Sequence, residues 1–203
     1  MLTVKLTLER LSKDGRLLAR RELPSRSFLK ALLQQLQSVH DYLTVTIQDT
    51  NDAAKPNTAT NNGNMKVSSG GGHAAVGFNS STDGLILAEL IGIQVGTGTT
   101  APTPTDYAME TRIAHGQGGG EFEYGGCELL ALTFADPNGE FTIRRYFTNV
   151  SGGEITVNEV GIYSLISGGN AYAACIARDK VAPGVAVANT EILRVTYVPQ
   201  ITV

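Results

Sequence analysis

The feature that most restricts the fold is a two-residue rhythm of apolar side chains, recurring between closely spaced turn signals. Leu2, Val4, Leu6 and Leu8 alternate with Thr3, Lys5, Thr7 and Glu9, the pattern of a strand with one face in a core and the other in water. Lys13-Asp14-Gly15-Arg16 supplies a turn, since Asp-Gly accepts positive φ, and Arg16 to Leu23 returns as the partner strand of an N-terminal β-hairpin. The same alternation runs through Leu43, Val45 and Ile47, and through Phe141, Ile143, Arg145 and Phe147. Further turns are read at Ser80–Gly84, Asp136-Pro137-Asn138-Gly139, Ser151-Gly152-Gly153 and Ser167-Gly168-Gly169-Asn170. The strands between them are Ala75–Phe78, Leu85–Val95, Glu121–Phe134 with a bulge at Gly125-Gly126, Ile155–Ser164, Ala171–Arg178 and Ile192–Val203. Turns roughly 8–15 residues apart between alternating strands predict a mainly β chain, an antiparallel β-sandwich or jelly roll.

One segment departs from the rhythm. After Pro24, with Ser25 or Ser27 as the cap, Leu29, Leu32, Leu33, Leu36 and Val39 fall at helical spacing, and Lys30, Gln34, Gln35 and Gln37 take the opposite face. The spacing predicts one amphipathic helix, with a further single turn over Asp106–Met109. Between Thr50 and Gly72 stand Asn51, Asn57, Asn61, Asn62 and Asn64 among Ala, Thr, Ser and Gly. That stretch has almost nothing to bury and reads as an extended arm, or a loop ordered by a neighbour. The expected organisation is therefore hairpin plus helix over 1–48, packed on the same domain, the arm over 49–72, and the β-sandwich over 73–203.

Composition narrows the function classes. The chain has 203 residues, 42% hydrophobic and 17% charged, with 23 Gly and no Trp. That length suits a single domain and is too short for a large multidomain enzyme. A net charge of −3 provides no global basic field, so no specific nucleic-acid partner is expected. The longest apolar run, Leu85–Val95, contains Glu89 and Gln94 and is too short to span a bilayer, so no membrane partner is expected. The opening MLTVKLTLERL is too polar for a secretory leader, and two cysteines make no disulfide framework.

Each chemical motif has a plainer reading. Gly96-Thr97-Gly98-Thr99-Thr100-Ala101 matches a dinucleotide fingerprint, but Pro102 and Pro104 follow where a helix would have to start, so it reads as a loop. His40, His73 and His115 stand far apart, and neither they nor Cys127 and Cys175 show metal-ligand spacing. Cys175 reads as a small buried hydrophobe. Asp49, Asn51 and Asp52 resemble a fragment of a calcium loop, but Ala54 and Thr60 occupy its glycine and glutamate positions, which leaves a solvated turn. No serine lies in a nucleophile elbow; Ser68, Ser69, Ser151 and Ser167 sit in turns or low-complexity segments. Glu121 and Glu123 are the one pair that a carboxylate hydrolase could use. Asn79-Ser80-Ser81 and Asn149-Val150-Ser151 fit a glycosylation sequon. Arg16, Arg20, Arg21 and Arg26 form the densest basic cluster, lack interleaved aromatics, and read as a polar face or interface rim. No catalytic, cofactor or metal residue is assigned.

Two stretches carry a resemblance. Gly92-Ile93-Gln94-Val95-Gly96-Thr97-Gly98-Thr99-Thr100-Ala101-Pro102-Thr103-Pro104-Thr105-Asp106-Tyr107-Ala108, followed by Ile113-Ala114-His115-Gly116, resembles segments of tailed-bacteriophage virion structural proteins associated with capsid, neck or tail. So does Phe147-Thr148-Asn149 with Ile155-Thr156-Val157-Asn158-Glu159-Val160-Gly161-Ile162-Tyr163, then Ala177-Arg178-Asp179 and the closing strand Leu193-Arg194-Val195-Thr196-Tyr197. The Glu-Val-Gly-Ile-Tyr stretch is also similar to attachment modules near phage tail collars and fibres. The resemblance covers about half the chain, Gly92 to Val203, and brings no catalytic residue with it.

It implies a non-enzymatic structural component of a tailed phage virion: capsid decoration, a neck or tail component, or a fibre attachment. Such a protein is made in the host cytoplasm and incorporated into the virion. Its partners are further copies of itself, as a symmetric homo-oligomer, and other virion proteins; no cofactor is implied. Virion proteins commonly join through extended arms and sheet-edge pairing. Gly161, in mid-strand, is expected to mark a bulge or a close backbone approach. The alternative is a carbohydrate-binding adhesin module, whose platform would have to come from Tyr42, Tyr107, Tyr124, Tyr146, Tyr163, Tyr172 and Tyr197. A glycoside hydrolase-like enzyme built on Glu121 and Glu123 is third.

Overall fold

A computed structural model describes residues 2–25, 28–41, 45–57, 89–167 and 171–202. The chain is mainly β, with antiparallel sheets in a sandwich-like arrangement and one helix. The alternating N-terminal segment forms β1 (Leu2–Leu11), which turns back into β2 (Leu17–Ser25) through a loop where Gly15 holds φ +79°. β3 (Val45–Gln48) and β4 (Ala54–Asn57) make a small hairpin, and β5 (Gly92–Gly96) follows. Next come β6 (Glu123–Leu129), β7 (Thr133–Ala135), β8 (Asn138–Glu140) and β9 (Ile143–Thr148). Three long strands end the chain: β10 (Ile155–Ser167), β11 (Ala171–Val187) and β12 (Ile192–Thr202).

β12 is the spine of the larger sheet. One edge of it pairs with β1 along its whole length, from Leu2 opposite Ile201 to Leu11 opposite Ile192. The other edge is shared by β9, over Ile192–Tyr197, and by β8, over Gln200–Thr202. β2, β6 and β7 complete this sheet, and β11, β10 and β5 form the second. Period two places Leu6 and Leu8 of β1, Leu193, Val195 and Tyr197 of β12, and Phe147 of β9 on the inner face. There they share one core with Ile93 and Val95 of β5 and Val157 and Val160 of β10. Residues 111–116 bridge the sheets on one side: the Ile113 amide donates to the Val95 carbonyl, and the Gly116 amide to that of Phe122. On the other side the chain leaves β2 and reaches the edge of β11, where the Leu29 amide donates to the Ile176 carbonyl.

The second sheet is covered on both faces. Leu29, Met109, Tyr163, Ala173 and Cys175 form a separate buried cluster on its outer side. From Glu159 to Ile166 every residue of β10 is therefore buried, and alternation vanishes there. Gly161 marks a close approach: a Cβ on it would lie 3.2 Å from Met109 Cγ and 3.1 Å from the Ala177 carbonyl. The Gly125-Gly126 bulge is present, as a register shift between Tyr124 and Cys127.

Arg145 fastens the sheets together. It takes an inward position on β9 and is fully buried. Its Nε donates to the Gly125 carbonyl of the bulge at 2.9 Å, and Nη1 donates to the Ile91 and Ile93 carbonyls of the opposite sheet at 3.0 Å each. The guanidinium also lies over Tyr124, 4.7 Å from the ring centroid. Burial lowers its pKa, yet the carbonyl dipoles and the ring faces stand in for water around the cation.

Several expectations are corrected. The helix, α1 (Lys30–Asp41), begins after Leu29, with the Lys30 amide donating to the Pro104 carbonyl. Ser25 belongs to β2, and Ser27 lies outside the described residues. The buried face of α1 carries Ala31 and Gln35, while Leu33 and Leu36 of the expected stripe are exposed, at 68% and 41%. Leu29 and Leu32 of the stripe do pack inward, and Gln35, reaching Ser164 Oγ at 2.5 Å, and Gln34, reaching the Thr46 carbonyl at 2.9 Å, orient the helix with them. The segment expected to begin an arm at 49 instead folds back as β4 through Asn57; 58–72 lie outside the described residues, as do Ala75–Phe78 and the turns at 80–84 and 168–170. Of the strand expected over Leu85–Val95, 85–88 lie outside the described residues, Glu89 and Leu90 are helical, and the extended run starts only at Gly92, at φ +86°, as β5. The strand expected to reach Phe134 stops at Leu129 and resumes as β7. No helical turn forms over 106–109, because the Asp106 carboxylate accepts from the Thr103 amide and hydroxyl and folds that loop instead.

Arg145→Met should therefore destabilise the fold by about 2–3 kcal/mol in urea unfolding, since three buried carbonyls lose their donor. A change within about 0.5 kcal/mol would show that the guanidinium does not hold the sheets together.

Candidate functional site

The loop after β5, β10 and β11 converge on one buried carboxylate. Glu159, on β10, is 1% exposed, and a charge so placed must be matched by donors on every side. The loop after β5 supplies the Gly98 amide at 3.2 Å, and the returning chain supplies the Glu110 and Thr111 amides at 3.2 and 2.8 Å. Arg178 of β11 completes the set, its Nε 2.8 Å from Oε2.

The same guanidinium reaches further. Nη1 donates to Asp106 at 2.6 Å, Nη2 donates to the Thr100 hydroxyl at 3.1 Å, and Glu110 stands 3.6 Å from Nη2. Glu110 in turn accepts from the Thr100 amide and hydroxyl at 2.8 and 2.9 Å. Burial alone would raise the Asp106 pKa, but hydrogen bonds from Thr103 and Arg178 outweigh it and hold the carboxyl below its ordinary value of 3.8. Burial likewise works against the Arg178 cation, while its bonds to Glu159 and Asp106 carry its pKa above the ordinary arginine value.

The glycines of the fingerprint-like segment serve this clasp. A Cβ on Gly98 would fall 2.5 Å from Glu159 Oε1, and one on Gly96 would fall 2.5 Å from the Thr111 carbonyl. The loop does present amides to an anion, but the anion is the protein's own glutamate.

Next to it, Asp179 accepts from the Ser25 hydroxyl at 2.6 Å and from the Tyr197 hydroxyl at 3.1 Å. The end of β2, β11 and the closing strand are thus joined at one point. Tyr163 accepts the Met109 amide at 2.8 Å, and burial raises its pKa. Nothing in the sequence pairs Glu159 with Gly98 or Arg178 with Asp106, 61 and 72 positions apart. The one cue was that these stretches belong to the same resemblance.

The remaining sequence candidates are mostly structural. Asp49 Oδ1 accepts the Asn51 and Ala53 amides at 2.9 Å each and closes the β3–β4 turn, where Asp52 has φ +63°. His115 Nδ1 accepts the Tyr124 amide at 2.9 Å. Glu121 accepts the Gly118 amide at 2.8 Å in the turn before β6, whereas Glu123 is exposed on β6 itself. Cys127 and Cys175 are buried free thiols whose pKa values burial raises. Asn149, in the second sequon, is fully buried; its amide nitrogen donates to the Gly153 and Val187 carbonyls, and its Oδ1 accepts from Ser151. Ser167 ends β10.

Of the tyrosines, Tyr124, Tyr163 and Tyr197 are core residues. Tyr107 lines a polar cleft of about 330 Å³ with Lys30, Gln34, Gln48, Asp52 and Asp106. Arg21 donates to the Ala182 and Pro183 carbonyls, and Arg20 pairs with Glu22. His73, Ser68, Ser69, Asn79, Tyr42 and Arg26 lie outside the described residues, as does the His40 side chain. Among the described residues no three His, Cys, Asp or Glu side chains gather as a metal site requires, and no helix is long and apolar enough to cross a membrane.

One surface stands out. The inward face of the larger sheet continues past the end of the core onto β7, β8 and the last residues of β12. Phe134 is 79% exposed, Leu132 57% and Ile201 56%. With Phe141 and Pro199 they line an open groove of about 440 Å³, in which Phe134 lies over Gly139. Apolar side chains clustered in the open are the mark of an interaction surface. No family model, curated protein or solved structure matches the chain.

Gly98→Ala should cost about 1–3 kcal/mol, because the loop must retreat from Glu159 and stretch its amide bond. Wild-type stability in the variant would mean that the loop is not held by the carboxylate. A second expectation concerns acid. Glu9, bonded to Arg194 at 2.6 Å, has its pKa lowered from 4.5, chiefly by that bond. A lowered folded-state pKa gives stability that is complete above the ordinary value and lost as pH falls through the lowered one. Glu9→Gln should therefore be less stable than wild type at pH 7, and the difference should shrink below about pH 4. A difference independent of pH would contradict this.

Proposed function

We propose that the chain is a non-enzymatic structural component of a tailed phage virion, built into the capsid, neck or tail and held there by contacts with further copies of itself and with other virion proteins. The observation that carries this reading is the convergence at Glu159. Three of the stretches that resemble phage structural proteins meet there: Gly92–Ala108 supplies the Gly98 amide, Ile155–Tyr163 the carboxylate and Ala177–Asp179 the Arg178 guanidinium, while the Glu110 and Thr111 amides come from the short link that follows the first of them.

The chemistry of the side chains fits a building block. Among the described residues Glu159, Arg178, Asp106, Asp179 and Arg145 are bonded to one another or to backbone and side-chain groups around them, and they rigidify the sandwich. An exposed apolar surface lies at one end of the larger sheet, where a virion protein would meet its neighbour.

Particles purified by density gradient from cells whose genome encodes the chain provide the test. Gold-labelled antibody against the chain should decorate them at a repeated position, and the chain should survive in the particle fraction through the gradient. Unlabelled particles, with the chain confined to the soluble lysate, would refute the reading.

A further inference from the structure

The apolar groove is an uncovered part of a core face. Leu193, Val195 and Tyr197 of β12 point inward and are fully buried; two and four residues further on, Pro199 and Ile201 continue on the same side, half-buried and exposed, with no opposing strand of the described residues paired above them. Opposite Ile201 stands Gly139 of β8, and opposite Gly139 stands Phe134 of β7. The face therefore has the composition of a sandwich interior with one layer missing. Leaving Leu132, Phe134 and Ile201 in water forgoes the burial that stabilises the rest of the core.

At the far end of the same strands the chain presents a projecting element. Leu11 pairs with Ile192 while Leu2 pairs with Ile201, so the turn between β1 and β2 lies a full strand length from the groove. Every residue from Lys13 to Arg20 is exposed, including Leu17 at 51% and Leu18 at 37%. Successive residues of a strand point to opposite faces, so both faces of this tip are bare.

The charges of the two ends are opposite. The tip carries Lys13 and Arg16 against Asp14, Arg20 being paired with Glu22, whereas Asp136 is the one charged residue lining the groove, with Glu140 on the strand beside it. Two grooves face to face would bring acid against acid, and two tips base against base. Groove against tip pairs unlike charges and supplies leucines to the bare face.

We propose that the groove is occupied by the β1–β2 hairpin tip of a second copy of this chain, so that copies add head to tail. The inference rests on the reading of the chain as a structural component and specifies how one copy meets the next. Such a contact is heterologous: each copy offers a tip to one neighbour and a groove to the other, which generates a ring where the rotation closes and a filament where it does not.

Two variants separate this arrangement from its rivals. Leu17→Glu with Leu18→Glu spoils the tip, and Phe134→Glu with Leu132→Glu spoils the groove; all four side chains are exposed, and circular dichroism verifies that each variant keeps the β fold. In light scattering the wild type should give masses above the monomer that rise with concentration or stop at a ring, and each variant alone should fall to the monomer mass. The two variants mixed should form a one-to-one dimer and go no further, since one retains a groove and the other a tip. A monomeric wild type at every concentration overturns the proposal, and so does a mixture that stays monomeric. Loss of assembly in the groove variant alone also overturns it, because the groove would then meet another groove. Particle labelling reads the virion assignment independently, so labelled particles together with a failed mixing experiment would remove the head-to-tail contact and leave the assignment standing.

Discussion

A carboxylate removed from water has to find its hydrogen bonds inside the protein, and this requirement at Glu159 organises much of the fold. Three backbone amides and the Arg178 guanidinium meet on its two oxygens. The amides come from both ends of the loop between Gly96 and Ile113, so the loop is pinned onto the sheet it left. Arg178 then recruits Asp106 from the middle of that loop. One buried charge thereby fixes a connection of more than a dozen residues that has little apolar content of its own. The energetic stake lies less in the net gain of the pair than in the cost of leaving either partner alone in the interior.

Arg145 plays the corresponding part between the sheets. It stands where period two demands an apolar residue, and it trades that position for bonds to a bulge on its own sheet and to two carbonyls on the other. The Gly125-Gly126 bulge interrupts the β6–β9 ladder there and frees the Gly125 carbonyl as an acceptor. Bulge and arginine answer one another. One centre thus sits on the middle strand of the second sheet and the other on β9 of the larger sheet.

How far the sequence could be read follows from which forces are local. The alternation in β1 and β9 is a property of single strands, and it correctly puts Leu6, Leu8, Ile143 and Phe147 inside. β10 hid its partners because both of its faces are covered, so its residues show no alternation to read. The helix shows the limit of periodicity: Leu33 and Leu36 do share a face, but the face that docks is set by Ala31 and by the Gln35 bond to Ser164, across 129 positions of sequence. Gly96 and Gly98 were legible only as a loop, while the close approach to Glu159 that requires glycine there was not. The groove at Phe134 was equally hidden, since Leu132 and Phe134 look like ordinary strand residues in the sequence and only the fold shows them exposed.

The central claim is that residues with the look of chemistry are spent on architecture, and it is tested most directly by a double-mutant cycle across the clasp. Unfolding free energies of wild type, Glu159→Gln, Arg178→Met and the double variant give the coupling between the two side chains. The account predicts that each single variant is strongly destabilised and that the double variant is much better than their sum, with a coupling of about 2–3 kcal/mol. Additive effects, within about 0.5 kcal/mol, would mean that Glu159 and Arg178 do not hold each other in place, and the clasp would cease to explain why these segments come together.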